Sequence, residues 1–164
     1  MRHGIAVAGD QPGIESDSAR ELTSKGTKRM QQAARGVRRL GVSFDKILTS
    51  PFVRARQTAE IVAESLGLED RLEDFSELTP ENSVDRLISG LTRFQDKDHL
   101  LLVGHNPLLT HVASFLIAGK KDTKFRIALK KGGLCCIEID GLPPANPGTL
   151  QWFLTPKQLR RLGG

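Results

Sequence analysis

Leu100-Leu101-Leu102-Val103-Gly104-His105-Asn106-Pro107 is the stretch that decides the fold class of this chain. Four consecutive apolar residues leave no polar face, which fits a central strand covered by helices on both sides of a parallel sheet. The run then breaks at Gly104, and Asn106-Pro107 reads as a capping residue followed by proline at the first helical position. The helix that follows buries Leu108, Leu109, Val112, Ala113 and Leu116, at helical spacing. A buried strand passing straight into a helix is the unit of a layered α/β fold.

The same device stands earlier in the chain. Residues 44 to 49 read as a strand, Ser50-Pro51 as its cap and proline, and Ala55, Ala59, Val62 and Leu66 as the buried side of a helix ended by Gly67. Upstream, Thr23 caps a helix whose apolar side is Met30, Ala33, Ala34, Val37 and Leu40, with Gly41 as its stop. Val84, Leu87, Ile88, Leu91 and Phe94 give another amphipathic helix, and residues 134 to 140 and 150 to 154 read as two later strands. No repeat or linker divides the sequence. The expectation is a single domain over residues 1 to 164, an α/β three-layer sandwich (α/β/α) with a mostly parallel central sheet.

Composition narrows the function classes. With 38% apolar and 26% charged residues in 164, the chain supports a core, and no apolar run is long enough to span a bilayer. No signal segment opens it, and its two cysteines, Cys135 and Cys136, are adjacent, so a reduced cytoplasmic protein without membrane association is expected. The net charge of +5 favours anionic partners. Aromatic residues are only 5% and Tyr is absent, which leaves little for base stacking and argues against nucleic acid. Six basic residues face Asp122 alone between Lys120 and Lys131, a run that suits either a solvated loop or an acidic partner.

The chemistry gathers at strand ends. In open α/β sheets ligands bind beyond the carboxyl ends of strands, where helix N-termini favour anions. His105 follows the strand at Leu100, and Arg54 lies in the first turn of the helix expected from Pro51. With Met1 as the last residue of a strand, Arg2 and His3 leave the sheet at the same edge. Two imidazoles and two guanidiniums then converge on one crevice. Guanidiniums hold phosphate oxygens in pairs, and a neutral histidine can attack phosphorus. Neighbouring arginines are expected to depress protonation of both histidines. His99 and His111 have no such setting, no Cys/His spacing suggests a metal site, and no glycine-rich loop resembles a nucleotide-binding motif, so no cofactor is expected. Arg56, two residues past Arg54, lies roughly 200° around the helix and points elsewhere. Cys135 and Cys136 read as packing residues.

Arg2-His3-Gly4, then residues 50 to 59 (Ser50-Pro51-Phe52-Val53-Arg54 onward), then Val103-Gly104-His105-Asn106-Pro107, resemble in order and spacing the three motifs of the histidine phosphatase superfamily, with its phosphoglycerate-mutase-like fold. Residues 16 to 23, Glu77-Leu78-Thr79-Pro80, Leu150-Gln151-Trp152 and residues 154 to 157 are similar to the small SixA-type phosphohistidine phosphatases, which extends the resemblance over nearly the whole chain. The resemblance implies that His3 is the nucleophile and that Arg2, Arg54 and His105 hold the phosphoryl group. It implies substrate-binding roles for Arg20 and Glu77, the latter as the candidate general acid. Asp17, Ser18 and Thr23 read as loop and cap residues.

The implied activity is metal-independent hydrolysis of phosphohistidine on a signalling or phosphotransfer protein, by a monomer. A small-molecule phosphomonoesterase and a catalytically silent phosphoprotein-binding module are the alternatives. An acid matters more for an alkoxide leaving group than for an imidazole, so a weak or missing acid favours phosphohistidine. The family carries an initial strand ahead of Arg-His-Gly, of which only Met1 stands here. The corresponding expectation is that Met1 ends that strand and that the native chain begins upstream.

Overall fold

Ile47 and Leu48 project from opposite faces of one strand into two separate apolar clusters, and the architecture follows from that division. The computed structural model describes residues 1–10 and 12–164. Strand β1 (Lys46–Thr49) pairs in parallel with β2 (Leu72–Asp74) on one side and β3 (Leu100–Val103) on the other. Ile47 stands opposite Leu72 and Leu101 in this register.

On the first face, Ile47, Leu101 and Val103 pack against α1 (Ser24–Arg39), α2 (Val53–Leu66) and Leu159 of the C-terminal helix α5 (Pro156–Gly163). On the second, Leu48 packs with Phe75, Leu78, α3 (Val84–Leu91) and α4 (Leu108–Ala118). Helices therefore cover both faces, and the three-layer α/β/α sandwich is the observed fold. Strands β4 (Leu134–Glu138) and β5 (Thr149–Leu154) form a second, antiparallel pair. Among the described residues, no helix is long and apolar enough to cross a membrane.

The two sheets meet through the first residues of the chain. Arg2 N donates to Gly133 O at 3.1 Å, Gly132 N to Arg2 O at 3.0 Å, His3 N to Gly104 O at 3.0 Å and Gly104 N to Met1 O at 3.2 Å. Beside this seam runs an apolar groove of about 280 Å³, lined by Leu100, Leu102, Leu134, Cys135, Ile137 and Trp152 among others. Cys135 and Cys136 are half-buried free thiols on β4.

Several local expectations are corrected. Neither Ser50 nor Asn106 caps a helix. Helix α2 begins at Val53, with Phe52 at the cap position and Pro51 outside it, and α4 begins at Leu108. The side chains explain why, since Ser50 Oγ faces His105 and Asn106 Nδ2 donates to Leu129 O at 3.0 Å. Thr23 does cap α1, accepting from Gly26 N, and Gly67 ends α2 with φ 67°. The short strand β2 and helix α5 were not anticipated, although Thr155 and Gln158 form a reciprocal capping box at the start of α5.

Helices α1 and α5 approach too closely for side chains at the crossing. A Cβ on Gly36 would overlap the Leu159 carbonyl, and one on Gly163 would overlap that of Gln32. Gly36→Ala is therefore expected to destabilise the fold by about 1–3 kcal/mol, the usual cost of overpacking. Urea unfolding measures this, and an unchanged midpoint would contradict the close packing.

Candidate active site

Residues 1 to 4 carry the first two site side chains and are held on every side. Gly4 N donates to Thr58 Oγ1 at 3.0 Å, and Thr58 Oγ1 donates to Arg54 O at 2.7 Å, tying this segment to α2. Gly4 has no room for a side chain, because a Cβ there would lie 2.6 Å from Met30 Cγ. Helix α2 supplies Arg54 in its first turn, and the end of β3 supplies His105.

His3 and His105 are both buried, with ring centroids 5.0 Å apart. His3 Nδ1 lies 2.7 Å from Gly4 O. A carbonyl oxygen only accepts, so Nδ1 carries the proton and Nε2 keeps its lone pair. His105 Nε2 lies 2.9 Å from Ser50 Oγ, which itself accepts from Phe52 N at 3.3 Å. That hydroxyl still has a proton to donate, and Nε2 is the acceptor within reach. Nδ1 of His105 is then an N–H, buried and without a partner. Arg2 Nε and Asn106 Oδ1 are also buried and unpartnered, while Arg2 Nη1 donates to Leu129 O at 3.1 Å.

Burial is the main electrostatic force on both rings. It lowers His3 to about 3, helped by His105, Arg54 and Arg2 and opposed by the bond to Gly4. It lowers His105 to about 4, with Arg54 adding to it and Asp17 and Glu81 working against it. The depression expected from the arginines is present but ranks below desolvation. Both imidazoles are neutral at ordinary pH.

The structure brings Arg2, His3, Arg54 and His105 within mutual electrostatic reach. Arg20 joins them through Asp17, which pairs with Arg20 Nη1 at 2.7 Å and with Arg54 Nη2 at 2.8 Å. Glu77 does not join them: its carboxylate faces Ser76 at 3.1 Å and Arg93 at 3.8 Å, over Gly90 of α3. Arg56 points away, paired with Glu60 and Asp74, each at 2.8 Å.

Three residues at this site were missed. Asp17, read as a loop residue, is the carboxylate that bridges two arginines. Its spacing three residues before Arg20 was the available signal. Glu81 acts on His105 through its field, and Lys131 is lowered by burial and by Arg2, Arg20 and Arg54. Among the described residues, no group of three or more His, Cys, Asp and Glu side chains could hold a metal ion.

Known proteins resemble this chain in sequence and fold. Residues 1–79 match the family model for the histidine phosphatase superfamily, branch 1. A phosphohistidine phosphatase SixA homolog of Haemophilus influenzae is 31% identical, over 76% of this chain and 79% of its own. The chain belongs to the histidine phosphatase superfamily. Phosphohistidine phosphatase SixA of Escherichia coli is 28% identical over 98% of this chain and 94% of its own. A solved structure of the protein histidine phosphatase SixA complexed with tungstate superposes with TM-score 0.80 at 28% identity, covering 97% of this chain and 96% of that one.

The depressed histidines make stability depend on pH with a definite sign. Their folded values of about 3 and 4 lie below the ordinary imidazole value of about 6.5. Between these limits the unfolded chain binds protons that the folded protein does not, so stability rises with pH across that window. Asp17, held low chiefly by Arg20, acts in the same direction at lower pH. The thermal midpoint is expected to fall as pH drops from about 6.5 towards about 4, less steeply in His105→Asn. A flat midpoint across that range would contradict the buried neutral pair.

Proposed function

We propose that this chain is a protein-phosphohistidine phosphatase that works through a phospho-His3 intermediate. The observation that carries this reading is the His3 ring, buried and neutral, with Nδ1 bonded to Gly4 O and Nε2 left free beside His105. Imidazole in that state is a competent nucleophile at neutral pH. Arg2 and Arg54 supply guanidinium forks for the phosphoryl oxygens, and His105 stands beside the His3 ring.

In the first step His3 Nε2 bonds to phosphorus while the P–N bond of the substrate breaks. A substrate ring protonated on its other nitrogen leaves as neutral imidazole. Water then attacks phospho-His3 and releases inorganic phosphate, and His3 regains its neutral form. The tetrahedral oxyanion in the SixA complex with tungstate has the shape this cradle requires.

The leaving group accounts for Glu77. An alkoxide gains from a general acid, typically about 10²- to 10⁴-fold, whereas neutral imidazole departs without one. A carboxylate turned towards Arg93 is consistent with a phosphoramidate substrate. The segment from Lys120 to Lys131 suits a protein carrier. It borders the cradle, since Leu129 O accepts from both Arg2 and Asn106 and Lys131 feels Arg2, Arg20 and Arg54. Its exposed side chains offer positive charge around Phe125, which is 41% exposed, and this fits an acidic surface presenting the phosphohistidine.

Rapid-quench reaction with a phosphohistidine-bearing protein is expected to trap acid-labile phosphate on His3. His3→Ala should abolish the label and lower turnover by about a thousandfold or more. Label on no histidine, or on His105, would overturn the mechanism. Phosphate release from the same carrier is also expected to exceed release from alkyl phosphates by about 10²-fold or more in kcat/KM. Preference for the alkyl ester would instead favour a phosphomonoesterase.

A further inference from the structure

The fork of Arg54 is already occupied by Asp17, through one carboxylate oxygen and the backbone carbonyl. Nη2 pairs with Asp17 Oδ2 at 2.8 Å, and Nη1 donates to Asp17 O at 2.5 Å. The other carboxylate oxygen of Asp17 pairs with Arg20 Nη1 at 2.7 Å. One acidic residue therefore engages both arginines on this side of the cradle, in the two-oxygen manner of a phosphate.

We infer that Asp17 is an internal competitor for the phosphate site, a stand-in anion that the phosphoryl group displaces from Arg54. The inference rests on the phosphate-holding role given to Arg54 above, though not on which phosphorylated molecule is cleaved. Two anions on one fork repel each other, so a phosphoryl oxygen takes Arg54 only as Asp17 leaves it.

The local structure permits that exchange. Asp17 begins a single 3₁₀ turn, Asp17–Ala19, with no buried residue, and its side chain is 55% exposed whereas that of Arg54 is 6% exposed. The base of the loop is fastened separately, by Val7 N to Glu21 O at 2.9 Å and Arg20 Nε to Val7 O at 2.8 Å. The turn can swing outward while the buried arginine keeps its place, supported by Phe52 at 5.2 Å beneath its guanidinium.

The competition has a direction. Every anion that enters must break the Asp17 pairs, so free phosphate binds weakly and leaves readily once formed. A phosphohistidine borne on a protein recovers the lost affinity through contacts at the basic rim, which free phosphate cannot make. Asp17 thus makes the site select phosphoryl groups delivered on a carrier.

Asp17→Asn removes the charge and keeps the size and hydrogen-bonding capacity. Calorimetric titration of the full chain with inorganic phosphate is expected to show binding tightened about three- to tenfold. Inhibition of turnover by added phosphate should strengthen by the same factor. Equal or weaker phosphate binding, in a variant that melts as the parent does, would overturn the inference and make Asp17 a residue that holds Arg54 in position. Phosphate binding to neither protein would also overturn it.

A second readout needs no substitution. The Asp17 carboxyl, followed by carbon NMR, is expected to titrate at higher pH once phosphate is bound, because its Arg54 partner is gone. An unmoved titration would overturn the inference. Neither measurement depends on phospho-His3, so this inference and the phosphatase reading can fail separately.

Discussion

Backbone hydrogen bonds from the first three residues hold the molecule's two sheets and its site together. Met1 and His3 pair with Gly104 at the end of β3, and Arg2 pairs with Gly132 and Gly133 just before β4. The parallel sheet and the antiparallel pair are thereby joined through Arg2-His3, the residues that carry two of the four central site groups. Such a segment cannot shift without moving both sheet edges. His3 Nδ1 is bonded within the same segment, to Gly4 O, so the ring's orientation inherits that rigidity. His3 is positioned by the fold's seam.

Around this seam, burial and positive charge act together on the histidines. Desolvation disfavours the imidazolium, and the nearby guanidiniums disfavour it further, so each ring is held neutral well below its ordinary titration point. The same cations would repel one another in an empty cradle. Asp17 offsets this by pairing with Arg54 and Arg20, while Arg2 is anchored on the Leu129 carbonyl. The resting site is therefore a set of cations loosely matched by one exposed carboxylate.

Much of this was legible in the residue pattern. The unbroken apolar run at Leu100 marked a strand covered on both faces, and the structure places Leu101 and Val103 in one cluster and packs Leu100 and Leu102 against the other. Helical spacing identified the buried sides of α1, α2 and α4. Capping chemistry misled twice. Ser50 and Asn106 have the right residue types before proline, but in each case a distant partner, His105 or Leu129, takes the side chain away from the helix end. Glu77 likewise stands at a plausible position along the chain, yet α3 and Arg93 draw its carboxylate aside. Asp17 was overlooked for the opposite reason. Its partner Arg54 is 37 positions away, and only the nearby Arg20 hinted at its role.

The sequence by itself determined the layered α/β class and singled out Arg2, His3, Arg54 and His105 as candidates at strand ends, because periodicity and motif spacing are local properties of a chain. Only the tertiary structure decided which nitrogen of each histidine is free, which arginine is already engaged and which carboxylate engages it. Those outcomes depend largely on hydrogen bonds between remote segments, such as Ser50 with His105 and Asp17 with Arg54, and on burial produced by the packing of whole layers. Neither leaves a trace in the order of neighbouring residues.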